Sequence, residues 1–137
     1  MGKYTDLHSD VYSVFGAPAW VAEGLKTTPD NYLATALGSE YLRVSVVNSS
    51  NLTYANLKNS LAGQLIIDIF VKAGDGLNRT AIIADKLDTY LVRKTISTAL
   101  GHGTQFGISS MVSLGVDSKN ASLYRSSYSI PFNYFGN

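Results

Sequence analysis

The chain has no cysteine among its 137 residues. Disulfides, thiolate catalysis and Cys-based zinc sites are therefore excluded. Charge is also scarce, with Asp, Glu, Lys and Arg making up 15% of the residues, against about 25% in an ordinary soluble domain. Much of the surface must then be built from Ser, Thr, Asn, Gly and Tyr, which carry little mutual repulsion and suit self-association. Net charge is only +1 and there is no basic run. A partner bound through neutralised phosphates is not expected from such a balance. No stretch approaches 18 apolar residues, so no membrane partner is expected. The opening MGKYTDLHSD has no apolar h-region, and no secretory leader is expected there.

What is present is an ordinary apolar fraction of 45%, enough to fill one core in a chain of single-domain length. Leu7, Val11, Val14 and Phe15 recur at helical spacing over residues 4–15, with Gly16 and Pro18 as stops. In 16–40, Trp20 and Val21 suggest a short strand, and Pro29-Asp30 opens a turn or helix at 31–37. YLRVSVV at 41–47 alternates, with Leu42, Val44 and Val46 on one side and Tyr41, Arg43 and Ser45 on the other. Residues 48–60 are polar and read as a loop. QLIIDIFVK at 64–72 is the strongest strand. Leu65, Ile67, Ile69 and Val71 form an apolar face, and Ile66, Asp68 and Phe70 form a mixed face suited to cover by another subunit.

A turn through Gly74 and Gly76 leads to a helix expected from about Asn78 to Leu100, whose end Thr95, Ser97 and Thr98 weaken enough for it to stop near Arg93. Residues 105–114 and 123–134 read as closing strands. Their even positions include Phe106, Ile108, Val112 and Leu114 in the first, and Tyr124, Tyr128, Ile130, Phe132 and Tyr134 in the second. Pro131 cannot donate to a ladder, which places the last strand at an edge or ends it there. The expected fold is α+β, a mostly antiparallel sheet flanked by two main helices in one domain over 1–137.

Chemistry-bearing patterns are sparse. His8 and His102 are the two histidines, and neither stands in a catalytic motif or at metal-ligand spacing. No catalytic residue, metal or cofactor is expected. The glycines of KAGDGLNRT are better explained by a tight turn than by a phosphate cradle, since neither phosphate-loop pattern is complete. Asp85 and Asp88 lie three apart on the long helix. Asp68 sits mid-strand among apolar residues and requires a partner, for which Arg43 on the neighbouring strand is the candidate. Trp20 and nine tyrosines, without a basic groove, suit core or interface better than base stacking.

Residues 63–91, GQLIIDIFVKAGDGLNRTAIIADKLDTYL, resemble the tail-terminator family of long-tailed bacteriophages. The matching positions are Gly63, Ile69-Phe70-Val71, Gly74, Gly76 and Ala84-Asp85-Lys86-Leu87. The strand at 41–47 and the closing hairpin also resemble the family's pattern. The resemblance implies a non-enzymatic virion protein at the head-proximal end of the tail, assembled in the host cytoplasm. It implies a homo-oligomeric ring, usually a hexamer, that caps the tail tube, ends its polymerisation and offers the head's neck connector a joining surface. DNA would pass through the lumen without sequence-specific binding. A neck or tail-completion protein is the nearest alternative, and a small hydrolytic or ligand-binding domain a more distant one. Ring contacts between copies are heterologous. The interface candidates are Arg43, Ile66, Asp68 and Phe70 on one strand pair and Tyr124, Tyr128 and Tyr134 on the last strand.

Overall fold

The computed structural model describes residues 3–29, 40–51, 59–74, 76–116 and 123–136. Helix α1 (Lys3–Gly16) buries Leu7, Val11, Val14 and Phe15, the stripe that the spacing predicts. Trp20 and Val21 lie not in a strand but in a one-turn helix, α2 (Pro18–Val21). The reason is local: Pro18 is at the start of the turn, where its fixed φ favours a helix and its missing N–H costs nothing. Trp20 is buried edge-on between Phe15 and Tyr90, with centroids 5.5 and 5.3 Å away, and its Nε1 donates to Thr27 Oγ1 at 3.0 Å. A turn at Gly24, with φ of 73°, leads into β1 (Thr27–Pro29), a strand the sequence pattern does not announce. The turn or helix expected at 31–37 lies outside the described residues.

The sheet runs β1, β2 (Tyr41–Asn51), β3 (Asn59–Lys72), β7 (Leu123–Gly136), β5 (His102–Phe106) and β4 (Thr95–Ile96), with β6 (Ser110–Val116) also on β7. All described pairings are antiparallel except β1 with β2. Strands β2 and β3 reach into the polar stretch expected as a loop, because β2 pairs with β3 as far as Asn51, past a register shift between Asn48 and Ser50, and β3 pairs with β7 from Asn59 onward. Helix α3 (Gly76–Leu91) stops before Arg93, whose φ of 58° turns the chain away. The expected strand 105–114 is two strands, divided at 107–109.

Pro131 does not mark an edge. Strand β7 is central, held by β3 on one side and by β5 and β6 in succession on the other. Pro131 falls where β5 has ended at Phe106 and β6 has not begun, and its carbonyl accepts from Gly107 N at 2.9 Å. In a strand, a residue's N and O point to the same side, so the missing donor faces that gap and no ladder bond is lost.

The helices lie on one sheet face. There Leu7, Val11, Trp20, Ile83, Leu87 and Leu91 meet Leu42, Val44, Leu65, Ile67, Ile69, Ile130 and Phe132 in a continuous core. Burying this much apolar surface is the main stabilising term, at about 25 cal/mol per Å2. The opposite sheet face carries, among the described residues, a small buried cluster of Tyr41, Phe70 and Leu123. No helix among the described residues is long and apolar enough to cross a membrane.

Candidate interaction surface

The open sheet face is built by strand alternation. Positions 43, 66, 68, 70, 125 and 127 share it, because directly paired residues of antiparallel strands point the same way. Register puts Arg43 opposite Asp68, and Asp68 opposite Ser127. Arg43 Nη2 donates to Asp68 Oδ2 and Arg125 Nη2 to Asp68 Oδ1, both at 3.0 Å. The pairing expected of Arg43 and Asp68 is therefore present, with a second arginine on the other carboxylate oxygen.

Phe70 lies beneath this bridge. Its ring stacks on Tyr41 at 4.5 Å, and the guanidinium carbons of Arg43 and Arg125 sit 5.2 and 5.7 Å from its centroid. Phe70 is only 2% exposed and Asp68 6%, so both are buried within the subunit. What this face offers a neighbour is the upper surface of two arginines, each about a third exposed, with half-buried Ile66 and exposed Val47 and Val112 nearby. Two cations share one anion, and Arg125 Nε is buried without an acceptor among the described residues.

The tyrosines of β7 need correction as interface candidates. Tyr128 and Tyr134 are each 1% exposed, inside the helix-side core. Their phenols are anchored there: Tyr128 donates to Asp88 Oδ1 at 2.7 Å and Tyr134 to Asp6 Oδ2 at 3.4 Å. Burial, together with those carboxylates, pushes the Tyr134 phenol up to about 12 and Tyr128 higher still. The even-numbered face of this strand was legible as apolar; that helices cover it was not. Tyr124 is half-buried on the same side, with its hydroxyl on Ser113 Oγ.

A second polar constellation escaped the sequence. Asp10 is fully buried on α1. Its Oδ1 accepts from Thr98 N at 3.0 Å and Thr98 Oγ1 at 2.9 Å. Its Oδ2 accepts from His102 Nδ1 at 3.1 Å and Thr104 Oγ1 at 2.9 Å. Four donors fill the four lone-pair positions of a carboxylate, so Asp10 is a tie between α1 and the β4–β5 hairpin. Because a carboxylate only accepts, Nδ1 of His102 carries the proton. His8, two residues from Asp10, is exposed, as helical geometry requires. The one available signal for this tie was an acid at position 10, on the apolar stripe between Leu7, Val11 and Val14.

Asp88 is likewise structural, accepting from Ser109 Oγ at 2.5 Å as well as from Tyr128, whereas Asp85 is exposed. Glu40 holds Arg79 through two bonds of 2.9 and 2.8 Å, which lowers its pKa against the opposing effect of burial. Among the described residues no group of three or more His, Asp or Glu is placed to hold a metal. An open depression of about 530 Å3 lies over Tyr4, Thr5, His8, Ser9 and Tyr12, and another of about 450 Å3 over Arg93, Gln105, Phe106, Gly107, Ile108 and Asn133. Neither contains the Asp10 tie or the Asp68 bridge.

The chain matches no protein-family profile and no curated protein. Its fold does have solved counterparts. One is a protein from the virion of a native gene transfer agent particle, with TM-score 0.68 and 18% identity over 98% of both chains. Another, which carries no functional description, aligns with TM-score 0.62 and 13% identity over 96% of this chain and 92% of its own. The α+β fold is thus one that a virion component also uses.

Proposed function

We propose that this chain is a structural subunit of a phage-type particle, a ring-former that caps the finished end of a tail tube. The observation that carries this reading is end-to-end similarity of fold to a protein of a gene transfer agent virion, with 98% of each chain covered. The tail-terminator resemblance of residues 63–91 narrows the role to termination. In the structure those residues are β3 from Gly63 onward, the turn, and α3 to Leu91, the centre of the sheet and its main covering helix. The open sheet face, with its bridged arginines, suits protein contact. The polar groups that resemble catalytic ones are engaged: Asp10 by four donors, and Asp88 by two. The role is structural, and the expected partners are further copies of the chain, the tube protein and the neck connector.

The test is assembly of the tube subunit in vitro with and without this protein. A terminator bounds tube length and decorates one tube end in electron micrographs. Unchanged tube growth with no decoration contradicts the reading, and binding only to the isolated connector transfers the protein to the neck.

A further inference from the structure

The two outer surfaces of the subunit differ in a way that suggests how copies meet. On the sheet side, Arg43 and Arg125 converge on one carboxylate, Asp68, which leaves one positive charge in surplus among the described residues. Around them lie half-buried Ile66 and Ser127, with exposed Gln64 and Lys72 further along the same face of β3. On the far side of the helix layer, α3 turns Ile82, Asp85 and Thr89 outward, three and four residues apart on one helix face. Ile82 is 40% exposed, a large apolar side chain left uncovered. Asp85 is exposed and has no ion pair among the described residues. The other charged side chains of α3 are spoken for: Arg79 by Glu40, Lys86 by Glu23, and Asp88 by Tyr128 and Ser109.

We infer that the outward face of α3 in one copy packs on the open sheet face of the next, with Asp85 received by the Arg43–Arg125 pair. The occupant of the sheet face is a second copy of this chain, and charge complementarity is the argument. One surface carries an unmatched cation held in place by Asp68 and Phe70; the other carries an unmatched anion beside an exposed isoleucine. The contact would place a helix on the second face of the sheet, the arrangement that buries both faces of layered α/β structures. It is heterologous, because the two surfaces lie on opposite sides of one subunit, so it propagates and can close into a ring. Preformed, ring-stacked arginines lose little freedom on binding a carboxylate, which suits them to the centre of such a contact. The inference rests on the ring-forming role proposed above and specifies which surfaces the ring joins.

The absence of native cysteine makes the test direct. Asp85→Cys and Ser127→Cys are made singly and together, and each protein is oxidised alone and in the presence of tail tubes. The double variant is expected to give a ladder of disulfide-linked copies, while neither single variant cross-links to itself. Self-cross-linking of a single variant, or a double variant that stops at dimers, overturns the heterologous contact. A second experiment uses charge reversal. Asp85→Arg is expected to weaken association by about tenfold, with recovery when Arg125→Glu is added, as read by light scattering. Thermal melting of each variant checks that it is folded. No ladder and no charge-reversal effect, in a protein that nevertheless forms rings, defeats this pairing and leaves the ring reading standing. A protein that is monomeric alone and on tubes defeats both.

Discussion

Asp10 on α1 and His102 at the start of β5 are 92 positions apart in the chain, and their side chains meet at 3.1 Å inside the protein. The carboxylate also holds Thr98 and Thr104, so a single residue of the first helix fixes the β4–β5 hairpin. Asp10→Ala leaves four donors without their acceptor, that of Thr104 fully buried. It is expected to destabilise the protein by about 2–3 kcal/mol, against about 1 kcal/mol for Thr104→Val, which removes one bond. Urea denaturation of the three proteins checks this; an Asp10→Ala loss as small as that of Thr104→Val contradicts the role of Asp10 as a shared anchor.

Asp68 has the corresponding role on the open face. Without it, two guanidinium groups confront each other over Phe70. Asp68→Ala is therefore expected to cost about 2–4 kcal/mol. Arg43→Ala should cost about 1 kcal/mol, since Arg125 still satisfies the carboxylate and both arginines are partly solvated. The same denaturation series, run with Arg125→Ala, gives the order; equal losses for all three would contradict it.

The core phenols predict an alkaline limit. Burial beside carboxylates pushes the Tyr134 phenol from the ordinary 10.0 up to about 12, and Tyr128 further. Folding favours the neutral phenol, so the unfolded state releases these protons first as pH rises. Their contribution is complete below pH 10 and is lost as pH climbs through the folded values. Stability should fall steeply above about pH 10, and Tyr128→Phe should flatten that fall while losing the Asp88 bond. Phenolate absorbance followed with circular dichroism tests it; ionisation of all tyrosines near the ordinary value in a still-folded protein contradicts it.

Gly63 faces Asn48 across β2 and β3, beside the register shift. A Cβ there would lie 2.9 Å from Asn48 Cα and closer still to Val47 O. The obstruction is backbone, which cannot rotate away. Gly63→Ala is expected to cost about 2–3 kcal/mol, measurable as a lower melting temperature; an unchanged melting temperature would mean that the strands can separate freely at this point.

The sequence made β3, β7 and the two long helices legible because burial of one face imposes a period on each. The Arg43–Asp68 bridge was legible for a related reason: an acid on an otherwise apolar strand needs a cation, and register supplies one. The Asp10 tie was hidden because its four donors come from residues 98, 102 and 104, which nothing local links to position 10. Tyr128 and Phe70 read as possible contacts because alternation identifies a face without saying what lies over it. Pro131 misled for a simpler reason: a missing donor identifies an edge only when nothing pairs along its side of the strand, and here it falls in a short gap between β5 and β6 on a side they otherwise cover.

The central claim, that this chain ends a tail tube, is tested most directly by deleting its gene from the particle that encodes it and measuring tail lengths by electron microscopy. The account predicts over-long tails without heads, restored to a single length when the gene is supplied in trans. Normal tails on complete particles would contradict it.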